Sequence, residues 1–183
     1  METNLAATLV PRVLGTLRLD LPTLEDVERD ERAGIQAAVV VLLVGVANGV
    51  GVAQTEDIGN LGLLTGPAGN ILGWLVFAGV AYVVGTGLLP GEGTEVESSP
   101  GGVVRTVGFA QAPNILGIAV VVGAFGQLLA AAGLAWSLIC GIAALRVALR
   151  VTLGRAIPIR IIAGAATLVA ASLFVALVDA TLV

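Results

Sequence analysis

The sequence predicts an all-α integral membrane protein: a five-transmembrane-helix bundle behind a short amphipathic helix, with the N-terminus cytoplasmic and the C-terminus outside. Three observations predict it. Only 12% of the 183 residues are charged and mean hydropathy is +1.00, whereas a soluble domain carries about 25% charge. Those charges are gathered in a few places, leaving residues 33–55, 58–91, 106–145 and 161–178 without any. The nine cations, all arginine, fall in alternate connecting segments.

Residues 1–32 form a cytoplasmic or interfacial lead-in, and 33–183 the membrane domain. Leu5, Leu9, Val13 and Leu17 recur every four residues, the stripe of a helix lying in the headgroup plane, although Pro11 interrupts it. In LPTLEDVERDERAG, Thr23 is the expected N-cap with Asp26 three residues on. The run EDVERDER, dense in both signs, suits contact with a partner subunit.

The first window is long enough for one helix across a hydrocarbon core of about 30 Å, at about 1.5 Å per residue, and the span is set at 34–53. The second window starts with IGNLGLLTGPAGN, whose Gly, Asn and Pro predict a loop or re-entrant turn, so its span is set at 70–89. A Gly-, Pro- and Glu-rich link, PGEGTEVESSPGG, is expected to be loosely ordered. It contains no phosphate-binding GxxxxGK[ST] pattern.

A single helix through the third window would be about twice the core thickness. It must therefore fold back, giving spans at 108–125 and 128–149. Pro113 suits a first helical turn, and Gly123, Gly126 and Gln127 are the expected reversal. Gly154 is the expected C-cap of the fourth span, with Pro158 in the opening turn of the fifth, at 159–178. A secretory leader fits poorly, because more than thirty residues precede the first apolar run.

With five spans, a cytoplasmic N-terminus places all nine arginines inside: Arg12, Arg18, Arg29 and Arg32, then Arg105, then Arg146, Arg150, Arg155 and Arg160. Arginine excess on the cytoplasmic side is the rule for short loops. The last four, in RVALRVTLGRAIPIR, are expected first as a topological anchor and beyond that to meet anionic headgroups or a partner, at about 1 kcal/mol each near the surface.

Within the spans, Gly45 and Gly49 form a small-xxx-small pair that lets helices approach closely, and Asn48 and Gln127 are expected as interhelical hydrogen-bonding amides. With no His and one cysteine, Cys140, in an apolar run, neither a disulfide nor a metal or redox motif is available. Cys140 is expected as a small buried apolar residue. No ionisable residue falls in a span core, which argues against proton-coupled carriers. No catalytic set appears, so no enzyme and no cofactor are expected, and nothing basic enough for nucleic acid is present.

The segment 91–116, GEGTEVESSPGGVVRTVGFAQAPNIL, resembles the Yip1 domain of membrane proteins, with Arg105, Gly108, Phe109, Ala110 and Pro113 falling on the family pattern. Trp136, the Arg-bearing end of its span and the lead-in PRVLGTLRLDLPTL are similar to the family as well, although the EVESSPGG loop is longer than usual. The resemblance implies a five-helix bundle with an inside N-terminus. Eukaryotic relatives act in vesicle traffic with small Rab-type GTPases, partly through longer N-terminal regions, and prokaryotic relatives mostly lack an assigned activity.

The expected role is that of a non-enzymatic scaffold or membrane-organising protein in a prokaryotic plasma membrane, contacting lipids and a membrane-protein partner or its own copies. Alternatives are an accessory subunit of a larger complex and a passive channel using Asn48 and Gln127. Arginine in place of lysine throughout, with abundant Ala, Gly and Val, suggests a GC-rich prokaryotic genome.

Overall fold

A computed structural model describes residues 5–55, 61–90 and 98–182. Among the described residues every element is helical: α1 (Leu5–Leu17), α2 (Leu21–Arg29), α3 (Ala33–Thr55), α4 (Leu61–Val83) continued by a π-helical turn (Val84–Leu88), α5 (Pro100–Ala110) continued by a 3-10 segment (Ala112–Val122), α6 (Ala124–Ala148) and α7 (Leu153–Leu182). Five of these stretches are long and apolar enough to cross a bilayer, in agreement with the expected bundle.

The close contacts set the register. Gly45 and Gly49 of α3 meet Pro67 and Gly66 of α4 running the opposite way. Gly34, Ala37 and Asn48 of α3 lie beside Arg105, Gly108 and Gly117, so the first and third spans run parallel. The third span turns at Gly123, whose φ of 73° suits a residue without a Cβ, and returns as α6, where Gly133 abuts Pro113. A 3-10 segment rises about 2.0 Å per residue against about 1.5 Å in an α-helix. That tighter winding lets α5 with its extension match the length of α6. α7 packs on α4 through Thr167 against Gly73 and Phe174 against Gly69, and only 6% of its spanning window is buried. Ile161, Leu168, Val169 and Leu173 therefore face outward, as lipid-contacting residues do.

Several boundaries differ from the sequence reading. The helix of the second span starts at Leu61 and its membrane-length apolar stretch at Thr65 rather than 70, because the GPAGN stretch expected to loop out is pressed against α3 and helix propensity yields to that packing. The third starts at Pro100 rather than 108. Ser99 caps it by accepting from the Gly102 N–H at 2.9 Å, and Pro100 occupies the first turn. The fourth starts at Ala124, and the fifth at Leu153, which leaves Pro158 inside α7 rather than in its opening turn. Residues 91–97 of the expected loose link lie outside the described residues.

The cap of α2 is also different. Asp20, not Thr23, accepts from the Thr23 N–H at 3.3 Å, because Pro22 fills the first turn and Thr23 supplies the next free N–H. At the end of α6 the left-handed position expected of Gly154 belongs to Arg150, with φ of 53°. That conformation disfavours a residue with a Cβ by about 1 kcal/mol. Arg150→Gly should therefore raise the melting temperature in detergent by about 2 °C, and a fall would show that the Arg150 side chain contributes more than its backbone costs.

Candidate functional site

Two regions concentrate the polar chemistry. The first is the lead-in, which is not a free interfacial helix. Leu9, Val13 and Leu17, expected to face headgroups, pack against the main core instead, while Val10 and Leu14 are exposed. Leu24 and Val27 of α2 are wholly buried.

Polar ties fasten this unit. Arg12 donates from Nε to Asp26 Oδ2 at 2.9 Å, from Nη2 to Asp30 Oδ2 at 2.6 Å and from Nη1 to Gln36 Oε1 at 2.8 Å, joining α1, α2 and α3. The Arg12 hydrogen bond holds the Asp30 carboxyl below its ordinary range. Arg105 of α5 donates to the carbonyls of Val27 and Glu28. A cation is thereby placed on the C-terminal carbonyls of α2, where the helix dipole favours it. Trp136 Nε1 donates to the Leu17 carbonyl at 2.9 Å, and buried Cys140 lies 3.6 Å from the Thr16 carbonyl. Because Arg105 is satisfied within the protein, it sits inside the third helical stretch rather than in a loop.

The second region is a cavity of about 310 Å³ between α3, α4, the third span, α6 and α7. The third span breaks at its edge: Gln111 closes α5, and Pro113, lacking an N–H, opens the 3-10 segment. Asn70 braces the break by donating from Nδ2 to the Val41 carbonyl at 2.7 Å and to Gln111 Oε1 at 3.1 Å. Trp74 Nε1 donates to the Val104 carbonyl at 2.9 Å. Asn48, Asn114, Ser137, Thr167 and Arg160 also line the cavity, and among the described residues no carboxylate does.

The residues singled out by sequence are thus divided between these regions. Gly108, Phe109 and Ala110 are buried in α5, where Gly108 leaves room for Ala37 and Trp74, while buried Pro113 sits at the break. Arg146 and Arg150 are exposed beside Glu25, Glu28 and Arg29. Arg155 donates to the Pro90 carbonyl. Arg160, expected at the surface with them, is turned into the cavity instead, because Phe77 offers its ring face and Gly141 leaves space for the guanidinium. Asn48 lines the cavity. Gln127, expected as an interhelical amide, is exposed in the first turn of α6, so the two amides of the channel alternative do not meet.

Asn70 and Trp74 escaped the sequence reading, although Gly66, Asn70, Gly73 and Phe77 recur at helical spacing on the face that lines the cavity. Among the described residues no group of three His, Cys, Asp or Glu side chains forms a metal site.

No curated protein and no solved structure matches the chain. The profile of the Yip1 domain matches residues 21–174, from the capped start of α2 through most of α7. A match over so much of the length, on a bundle of five apolar helices, establishes that the chain belongs to the Yip1 domain family of membrane proteins.

Proposed function

We propose that the protein is a non-catalytic membrane organiser, acting through lipid and protein contacts at the end of the bundle that carries the α1–α2 unit. One observation carries this reading: the exposed arginines Arg18, Arg29, Arg32, Arg146 and Arg150 all lie on or beside that unit, which is itself fastened to the bundle. The result is a fixed polar platform next to the bilayer. Anionic headgroups complement its arginines, at no more than about 1 kcal/mol each near the surface, because the acids Glu25 and Glu28 of α2 stand beside Arg146 and Arg150. By the positive-inside rule this end faces the cytoplasm and the C-terminus lies outside, in the plasma membrane of a prokaryote.

Native mass spectrometry of gently extracted protein tests the role. The expected result is a monomer or homo-oligomer carrying anionic lipid, with less lipid on Arg146→Gln/Arg150→Gln. Equal lipid on both proteins would overturn the platform. A stable complement of different subunits would instead favour an accessory-subunit role, which the open face of α7 suits. For orientation, Thr55→Cys in a Cys140→Ser background should react with an impermeant thiol reagent from outside, and reaction only after permeabilisation would reverse the topology.

A further inference from the structure

We infer that the cavity between α3, α4, the third span, α6 and α7 is a binding site for a phosphate-bearing anion, held by Arg160. The argument starts from an unbalanced charge. Arg160 lies in the second turn of α7, about 10 Å from the helix start at about 1.5 Å per residue. Its guanidinium carbon stacks 4.5 Å from the centre of the Phe77 ring. Nε is buried and has no hydrogen-bond partner among the described residues.

The ion pairs among the described residues join Arg12 to Asp26 and Asp30, and Arg29 to Glu25; none reaches Arg160. An arginine inside a membrane domain ordinarily pairs with an acid or with backbone carbonyls, or extends its side chain to the interface. Among the described residues Arg160 meets no acid and no backbone carbonyl, and although the residue is partly exposed its Nε is buried. Packing against Phe77 on one side and Gly141 on the other holds the guanidinium in the cavity: a Cβ at position 141 would lie 2.9 Å from Nε.

The rest of the lining selects the ligand. Gln111 accepts from Asn70 through Oε1, which leaves its NH2 group as a donor, and the amides of Asn48 and Asn114 also line the cavity. One cation, several neutral donors and no carboxylate suit an anion with several oxygens, which the planar fork of a guanidinium matches in geometry. The volume falls at the lower end of the roughly 300–1,000 Å³ common to small-ligand sites, roomy for a halide and sufficient for a phosphate group with a small substituent.

Depth points the same way. α7 has 30 residues and would be about 45 Å long. A centred core of about 30 Å would put Arg160 close to the hydrocarbon boundary, just beneath the lipid phosphodiesters. The shared chemistry is therefore a phosphate oxygen, from either a phospholipid headgroup or a free phosphate. This site is separate from the exposed arginine platform and does not depend on it.

The test uses the full chain with two probes. In nanodiscs of mixed phosphatidylglycerol and phosphatidylcholine, native mass spectrometry reads the lipid retained after ejection. In lipid-stripped micelles, thermal melting is followed against inorganic phosphate, with sodium chloride at matched ionic strength as control. A lipid site retains one phosphatidylglycerol per chain that persists in Arg146→Gln/Arg150→Gln, where the platform no longer contributes, and a free-anion site gives a saturable, phosphate-specific rise in melting temperature. Arg160→Gln should weaken either signal roughly tenfold or more, and Gln111→Leu by a smaller factor.

Arg146→Gln/Arg150→Gln should leave the Arg160 signal intact. If Arg160→Gln fails to fold, the wild-type titration together with Gln111→Leu decides. Neither retained lipid nor a phosphate-specific shift in the wild type would overturn the inference, as would unchanged binding in Arg160→Gln.

Discussion

Gly66→Val should unseat the first two spans from each other and lower the melting temperature by about 10 °C. A Cβ at position 66 would lie 2.6 Å from Gly49 Cα and 2.7 Å from the Gly45 carbonyl oxygen. Both obstacles are backbone, so no rotamer change relieves them, and α3 and α4 must separate. Overpacking costs about 1–3 kcal/mol where side chains can adjust, and this site belongs at or above the top of that range, which sets the expected shift. Separation would also strain the Asn70 bond to the Val41 carbonyl and, through it, the brace on Gln111. Gly79→Val is the matched control, because a Cβ there meets nothing within 4 Å. Melting of the two variants within about 2 °C of each other would show that close backbone approach does not hold these helices together.

Arg12→Met should release the α1–α2 unit while leaving the five spans assembled. The substitution keeps an apolar stem and removes three hydrogen bonds at once. Gln36, 2% exposed, loses the donor to its carbonyl oxygen, and Asp30 loses its cation. Breaking a buried pair by removing one partner costs about 3–5 kcal/mol, and the lower figure applies because Asp26 is largely open to water. About 3 kcal/mol corresponds to roughly a hundredfold in the population of the open unit. Trypsin cleavage at Arg29 and Arg32 should accelerate by about that factor, and an unchanged rate would refute the fastening role.

The same contact gives a pH dependence. Asp30 has a folded-state pKa below its unfolded value, through its hydrogen bond to Arg12. Its contribution is therefore complete above the unfolded value and is lost as pH falls below about 4. Cleavage of the wild type by an acid-active protease should rise in that range, and that of Arg12→Met much less.

The existence of five spans was legible because hydrocarbon excludes unpaired charge, a constraint that acts along the chain and shows as uncharged windows. Their ends were less so. Arg105 and Arg160 read as span limits, yet both lie within helices because the fold surrounds them. Carbonyls 77 and 78 residues away receive Arg105, and Phe77 covers Arg160. No local pattern records such partners. The GPAGN stretch reads as a break for the same reason, since its helix is imposed by α3. At the cavity, single amides could be picked out, but not that Asn70 and Gln111 would bond each other across 41 positions.

The fastening of the lead-in also constrains the order of assembly. Leu17 and Thr16 meet Trp136 and Cys140, which follow them by 119 and 124 positions. The lead-in, made before the spans, therefore finds its seat only after the fourth span has been made. Until then the apolar side chains of Leu24 and Val27 have no complete pocket. Closure of the N-terminal unit is in this sense a late event that marks a bundle whose hairpin has already been inserted.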